Sequence, residues 1–194
     1  MTTVKRGVEA MLERVEPLLA RLAVGGTVVE VGVYQGLMGE HILKTRPDVT
    51  WWGVDPWRAQ EDQPGSYVAS KDPHARLTQS QQDMNCQRAR DRVARFGVRA
   101  SIYRLPSVDV APLLPDASLD MVFLDGDHSY DGVIADLVAW WPKIKLGGWL
   151  GGHDWSNPNP AFRLGVDQAV TEWAERDGHD VQLDQGMTWW TPRA

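Results

Sequence analysis

Between Thr27 and Trp190, short β-branched runs alternate with segments of helical periodicity, and this alternation narrows the fold more than any other feature. Thr27-Val28-Val29-Glu30-Val31-Gly32-Val33 reads as a buried strand, because β-branched side chains fit a pleated surface. Gly36 to Arg46 then has helical spacing and stops at Pro47. A second strand spans Thr50 to Val54 and ends at Asp55-Pro56. Helical patterning returns from about His74 to Phe96, where Gly97 closes it, and Arg99 to Arg104 is strand-like. Leu119 to Asp125 is the clearest strand, followed by a helix from Tyr130 to Trp141 that Pro142 stops. A glycine-rich strand (Leu146 to Gly152) and a helix (Phe162 to Arg176) precede a closing pair, Val181–Leu183 and Met187–Trp190, turning at Gln185-Gly186. Parallel strands need such crossovers. The pattern therefore predicts a doubly wound, Rossmann-like α/β fold: a mostly parallel seven-stranded sheet, helices on both faces and an antiparallel C-terminal hairpin.

Nothing divides the chain further, so residues 1–194 read as one domain. In the N-terminal segment 1–24, Val4, Val8, Met11, Leu12, Val15, Leu18, Leu19 and Leu22 recur at three- and four-residue steps. That predicts an amphipathic helix, kinked or split at Pro17, which either caps its own sheet or packs against a second copy in a homo-oligomer. Residues 56–73 are rich in Pro, Gly, Gln, Asp and Ser without periodicity, and so long a loop in a compact domain suggests a substrate lid.

Twenty basic against 26 acidic side chains leave a net charge of −6, the wrong sign for a nucleic-acid partner. No run approaches the ~20 apolar residues of a membrane span, and Met1 to Pro17 has no apolar signal-like core. The lone Cys86 excludes an internal disulfide and any multi-cysteine metal cluster. The expectation is a soluble cytoplasmic protein. Ten tryptophans outnumber Phe and Tyr together; packing accounts for most of them, with Trp57 and Trp155 expected to line a substrate site.

In open α/β sheets, ligands bind beyond the carboxyl ends of the strands, where strand order reverses. The unusual polar residues fall at those ends: Glu30, Gly32 and Gly36 after the first strand, Asp55 after the second, Asp125, Asp127 and His128 after the fourth, His153 and Asp154 after the fifth. A G-x-G-x-x-G fingerprint started at Gly32 would need glycine at Tyr34 and Leu37, so a nicotinamide or flavin dinucleotide is disfavoured. An acidic strand followed by Gly32-x-x-x-Gly36, with Asp55 positioned for ribose hydroxyls, suits a nucleoside cofactor instead; tight strand–helix packing is the plainer alternative. Asp125, Asp127, His153 and Asp154 could share a cation such as Mg²⁺ or Mn²⁺, although Asp127 or Ser129 could simply cap the following helix.

The order Val-Val-Glu30-Val-Gly32…Gly36, Gly-Val-Asp55-Pro-Trp57, Val-Phe-Leu-Asp125-Gly-Asp127-His128-Ser-Tyr and Lys-Leu-Gly-Gly-Trp-Leu-Gly-Gly-His153-Asp154 resembles class I S-adenosylmethionine-dependent methyltransferases. Within these it is most similar to bacterial small-molecule O-methyltransferases that tailor cephalosporins and macrolide sugars, and more distantly to catechol O-methyltransferase. The resemblance implies S-adenosylmethionine bound by Glu30, Gly32, Tyr34 and Gly36, with Asp55 on the ribose and Ser107 near the adenosine. It implies a divalent Mg or Mn ion on Asp125, His153 and Asp154, where His153 replaces the carboxylate usual in metal-dependent relatives. Asp127 and His128 match proposed proton-accepting positions, and His128 is expected to titrate in the useful range without perturbation. The implied reaction is metal-assisted methyl transfer to a hydroxyl of a sugar, phenol or natural product. A metal-dependent hydrolase leaves Glu30, the glycines and Asp55 unexplained; a non-catalytic cofactor-binding subunit would bind without turnover.

Overall fold

A computed structural model describes residues 3–69, 72–158 and 165–194, with side chains from Met11 onward. Among the described residues, seven strands form one sheet in the order β3-β2-β1-β4-β5-β7-β6. They are β1 (Thr27–Val31), β2 (Thr50–Val54), β3 (Ala100–Tyr103), β4 (Leu119–Leu124), β5 (Ile144–Gly152), β6 (Gln182–Asp184) and β7 (Thr188–Pro192). β1 to β5 pair in parallel and β7 runs antiparallel to both β5 and β6. The strand order reverses between β1 and β4, so the carboxyl ends of these two neighbours mark the expected ligand crevice.

Alternation along the strands sorts the core into two layers. Val29, Val122, Leu150 and Trp189 face one side with α5 (Ser107–Val110), α6 (Tyr130–Trp140) and α7 (Val166–Asp177). Val28, Met121, Phe123 and Trp190 face the other with α1 (Thr3–Arg21), α2 (Leu37–Thr45) and α4 (Gln79–Val93). The glycine-rich β5 and tryptophan-rich β7 match each other: a Cβ on Gly151 would overlap the Trp190 ring, and one on Gly152 would lie 2.7 Å from Trp189. Small residues on one strand make room for indoles on the next.

α1 runs unbroken through Pro17 rather than splitting there. One lost backbone hydrogen bond is outweighed by burial of Met11 and Val15 before the proline and Leu18 and Leu22 after it. The helix caps its own sheet and is pinned to the β6–β7 turn by Arg21 on Asp184 (2.8 Å) and Gln185 on Glu16 (2.8 Å). The side chains of Val4 and Val8 lie outside the described ones.

The single helix expected from His74 to Phe96 is three pieces. A 3₁₀ turn, Pro73–Arg76, precedes α4, which starts at Gln79 because Thr78 and Gln81 form a reciprocal capping box. Tight turns over Ala94–Arg99 then carry the chain into β3, with Gly97 at φ +58° inside them rather than at the helix end. Within the expected loop 56–73 the chain forms a 3₁₀ turn, Gln60–Asp62, and a short α3, Gly65–Ala69. Ser70 and Lys71 lie outside the described residues, as do residues 159–164, which include the expected start of the last helix at Phe162. No helix among the described residues is long and apolar enough to cross a membrane.

Candidate active site

A cleft of about 1070 Å³ opens at the carboxyl ends of β1, β2 and β4, ample for a nucleoside-sized ligand with a second small molecule. Glu30, Gly32, Tyr34, Asp55, Ser107, Asp125, Asp127, His128, His153 and Asp154 all line it. Gly36 does not. It turns the chain into α2 at φ +73° and lets that turn approach Ala89 of α4, where a Cβ would stand 3.0 Å from the Ala89 Cα.

Backbone pairing brings the strand ends together. The Gly32 amide donates to Val54 (2.9 Å), that of Asp125 to Val31 (2.8 Å) and that of His153 to Leu124 (3.0 Å). Gly32 sits at φ +88° and its α-carbon presses against the Asp125 carbonyl, which any side chain there would overlap. Asp55 fastens the loop after β1: one carboxylate oxygen accepts the Val33 and Tyr34 amides (3.1 and 2.9 Å), the other that of Trp57 (2.8 Å). A carboxylate has about four acceptor sites, so one stays open toward a hydroxyl. Burial raises the Asp55 carboxyl above its ordinary range in spite of those three bonds.

Glu30 is buried at the cleft floor and accepts the Trp51 indole N–H at 2.8 Å. Burial pushes its carboxyl up to about 8, with the indole bond opposing, so it stays protonated at neutral pH. Ser107 begins α5, donates to Asp136 of α6 and accepts the Trp140 indole N–H at 3.1 Å. Burial raises Asp136 to about 7, against the bond from Ser107.

At the ends of β4 and β5 the acidic residues meet intrinsic cations. Arg14 of α1 reaches into the cleft and bonds Asp125 at 2.5 Å. His128 Nε2 lies 2.8 Å from Asp154 and 3.6 Å from Asp125, while its Nδ1 lies 3.2 Å from the buried Asp72. His153 Nδ1 lies 3.4 Å from Asp125 and 3.1 Å from Asp154. Burial opposes ionisation of Asp125, but Arg14 and the two imidazoles outweigh it and hold the carboxyl well below its usual range. Burial opposes ionisation of Asp154 too, but His128 and His153 lower it to about 2.

The imidazoles move the other way. Burial disfavours their charge, yet Asp125, Asp154 and Asp72 lift His128 well above its ordinary value, and Asp125 and Asp154 lift His153 to about 9. This corrects the expectation that His128 titrates unperturbed: three carboxylates surround it, and that grouping is invisible in the local sequence. Asp127 accepts the Ser129 amide at 2.8 Å, and Ser129 caps α6 by accepting the Gly132 amide. Asp127 therefore braces the helix start while it lines the cleft, and burial raises its carboxyl.

Two aromatic expectations are overturned. Trp57 is 1% exposed and packs in the core beneath the cleft, its indole donating to the Tyr34 carbonyl at 2.9 Å. Trp155 packs against the α6–α7 layer of the core and is not on the cleft wall. Both carry enough apolar surface to be drawn inward once neighbouring loops close. Sequence reasoning missed Arg14, Asp72 and Asp136. Arg14 is one of several charges on the polar face of an amphipathic helix; Asp72-Pro73 reads as a turn, and Asp72 does accept the His74 amide there.

The donor set suits a divalent cation. Asp125, His128 and Asp154 each offer one ligand atom within 4.8 Å of the others, and two carboxylates with an imidazole match Mn²⁺ or a related ion. His153 Nδ1 approaches the same two carboxylates, at 3.4 Å from Asp125 and 3.1 Å from Asp154.

The sequence profile of a family described as a methyltransferase domain matches residues 29–155, about two thirds of the chain. No curated protein matches significantly. Among solved structures, the O-methyltransferase NovP superposes with a TM-score of 0.61 at 16% identity, over 98% of this chain and 80% of that one. A Corynebacterium glutamicum protein gives 0.62 at 18% identity, over 96% and 81%. The O-methyltransferase TomG from Streptomyces achromogenes, involved in tomaymycin synthesis and solved with S-adenosylmethionine, gives 0.56 at 15%, over 100% and 82%. At these identities the likeness speaks for the fold. Together with the family match, a seven-stranded sheet ending in an antiparallel hairpin and a cleft at its switch point place the chain in the class I S-adenosylmethionine-dependent methyltransferase family.

Proposed function

We propose that the protein transfers the methyl group of S-adenosylmethionine to a hydroxyl of a small molecule such as a sugar, phenol or natural product, with metal assistance. The carrying observation is the convergence of Asp125, Asp154 and the two imidazoles of His128 and His153 at the inner end of a cleft whose other walls carry Glu30, Gly32 and Asp55. A sulfonium already activates its methyl, so the chain needs no covalent nucleophile. It must align acceptor oxygen, carbon and sulfur, exclude water and accept one proton.

Glu30 and the Gly32–Gly36 turn would hold the methionine end and Asp55 the ribose, with Tyr34 and Ser107 along the nucleoside. A divalent ion held by Asp125, Asp154 and His153 would supply Lewis acidity toward the acceptor hydroxyl. Ligation and proton acceptance both use an imidazole lone pair. With His153 as ligand, His128 could serve as base once a cation on Asp125 and Asp154 offsets the carboxylates that hold its imidazole charged. Arg58, Pro64, Ser66, Tyr67 and His74 line the wall against which the acceptor would pack.

The test is calorimetric titration with S-adenosylhomocysteine, with EDTA and again with Mn²⁺, alongside radiolabelled methyl transfer to a panel of phenols and sugars. Expected are micromolar binding, a separate heat for the metal and turnover of at least one acceptor. His128→Ala should lose turnover yet bind cofactor and Mn²⁺ as before. Loss of Mn²⁺ binding in that variant would make His128 a ligand, and no cofactor binding would end the reading.

A further inference from the structure

We infer that the methyl acceptor carries a carboxylate and that Arg58 receives it. This rests on the methyl-transfer reading above and names the class of its acceptor. Arg58 follows Asp55-Pro56-Trp57 and lines the cleft together with Pro64, Ser66 and Tyr67. Its backbone is fixed on both sides. Trp57 before it is buried, gives its amide to Asp55 (2.8 Å) and takes the Gln79 side-chain amide on its carbonyl (3.0 Å). Ala59 after it is equally buried and donates its amide to the Gln79 side-chain oxygen at 3.1 Å. The Arg58 carbonyl itself accepts the Gln63 side chain at 3.0 Å. A residue clamped between two buried neighbours presents its side chain from a fixed point rather than from a loose loop.

The guanidinium is half-buried and uncommitted. Six other described arginines are half-buried, and each has an acceptor: Arg14, Arg21, Arg46 and Arg92 sit on carboxylates, Arg99 and Arg193 on backbone carbonyls. Among the described residues Arg58 has no such partner. Taking a cation partly out of water without an acceptor costs free energy, which the anionic group of a ligand would offset. The two other arginines that line the cleft are not available for this, because Arg14 is held by Asp125 and Arg92 by Glu40. The planar fork of N–H donors matches a carboxylate through two parallel bonds. One guanidinium also balances one negative charge, whereas a phosphate monoester would bring nearly two into a cleft that already holds Asp125 and Asp154. Pro64 and Tyr67 add apolar surface to the same wall. The acceptor that fits is a hydroxylated ring or sugar acid, with its hydroxyl toward Asp125 and Asp154 and its carboxylate on Arg58.

The experiment uses protein saturated with S-adenosylhomocysteine and matched ligands: protocatechuate against its amide, and glucuronate against glucose and the glucose phosphate monoester at the same carbon. Calorimetry should show the acid bound about tenfold or more tightly than its neutral partner in at least one pair. Arg58→Gln should reduce that ratio to threefold or less, with S-adenosylhomocysteine affinity within threefold of wild type. For a pair that is turned over, the acid-to-neutral ratio of kcat/KM should fall in the same way, through KM. Equal binding within every pair, or a preference that survives in Arg58→Gln, overturns the inference, and tighter binding of the phosphate overturns the choice of anion. Loss of S-adenosylhomocysteine affinity in Arg58→Gln would assign the guanidinium to the cofactor and overturn it too. Absence of S-adenosylhomocysteine binding in wild type is a separate result: it ends the methyl-transfer reading, and the inference with it.

Discussion

Replacing Gly32 by alanine tests the central joint of the site, where the end of β1 meets the end of β4. Two costs are separable. The first is conformational: Gly32 sits at φ +88°, where an L-residue loses roughly 1–2 kcal/mol. The second is steric. An alanine Cβ would overlap the carbonyl group of Asp125 and stand 2.8 Å from the Gly126 α-carbon. These are backbone atoms of a strand end and cannot rotate away, so overpacking should add about 2–3 kcal/mol, the upper part of its usual range. Gly25 is the control: it has φ +69° with nothing within 4 Å of an added Cβ, so it bears the conformational cost alone. Urea denaturation followed by tryptophan fluorescence should give ~1–2 kcal/mol for Gly25→Ala and ~3–5 kcal/mol for Gly32→Ala. Because relief of the clash must move Asp125, Gly32→Ala should also weaken S-adenosylhomocysteine binding, while Gly25→Ala should leave it unchanged. Equal destabilisation by the two substitutions would refute the close approach of β1 and β4 on which the site geometry rests.

Glu30→Gln tests the buried acid at the cleft floor. Folded Glu30 keeps its proton to about pH 8, whereas an ordinary glutamate loses it near 4.5. Between those values the folded chain holds a proton the unfolded chain has released, so wild-type stability falls as pH rises. The variant lacks this slope and should match wild type near pH 4.5 yet exceed it by about 3–5 kcal/mol at pH 9; the same difference at both pH values, from urea curves, would contradict the buried protonated state. Arg14→Met addresses the cation that sits on Asp125. An imidazole can admit a metal by giving up its proton, but a guanidinium cannot and must move or repel the ion. Mn²⁺ affinity, read from the free-ion electron paramagnetic resonance signal, should rise about tenfold or more in Arg14→Met and stay near wild type in Arg14→Lys; equal affinities in Arg14→Met and wild type would show that Arg14 does not oppose the ion.

What the amino-acid sequence determined by itself is local in origin. The alternation of β-branched runs and helical stretches is enough for a parallel sheet, since parallel strands must be joined by crossovers. Strand ends follow from the same runs, so Glu30, Asp55, Asp125, His128, His153 and Asp154 could be assigned to one rim before any contact was known. The pairing of Gly151 and Gly152 with Trp189 and Trp190 was present as composition, though only the register of β5 and β7 explains it. Tertiary structure alone decided the rest, because it depends on groups far apart in the chain. Arg14 meets Asp125 across 111 residues and Asp72 meets His128 across 56. The charge of an imidazole is set by its neighbours in space, so His128 differs from a histidine in water once three carboxylates gather around it. Trp57, adjacent in sequence to a cleft-lining Pro56, turned inward because burying an indole outweighs lining a wet wall.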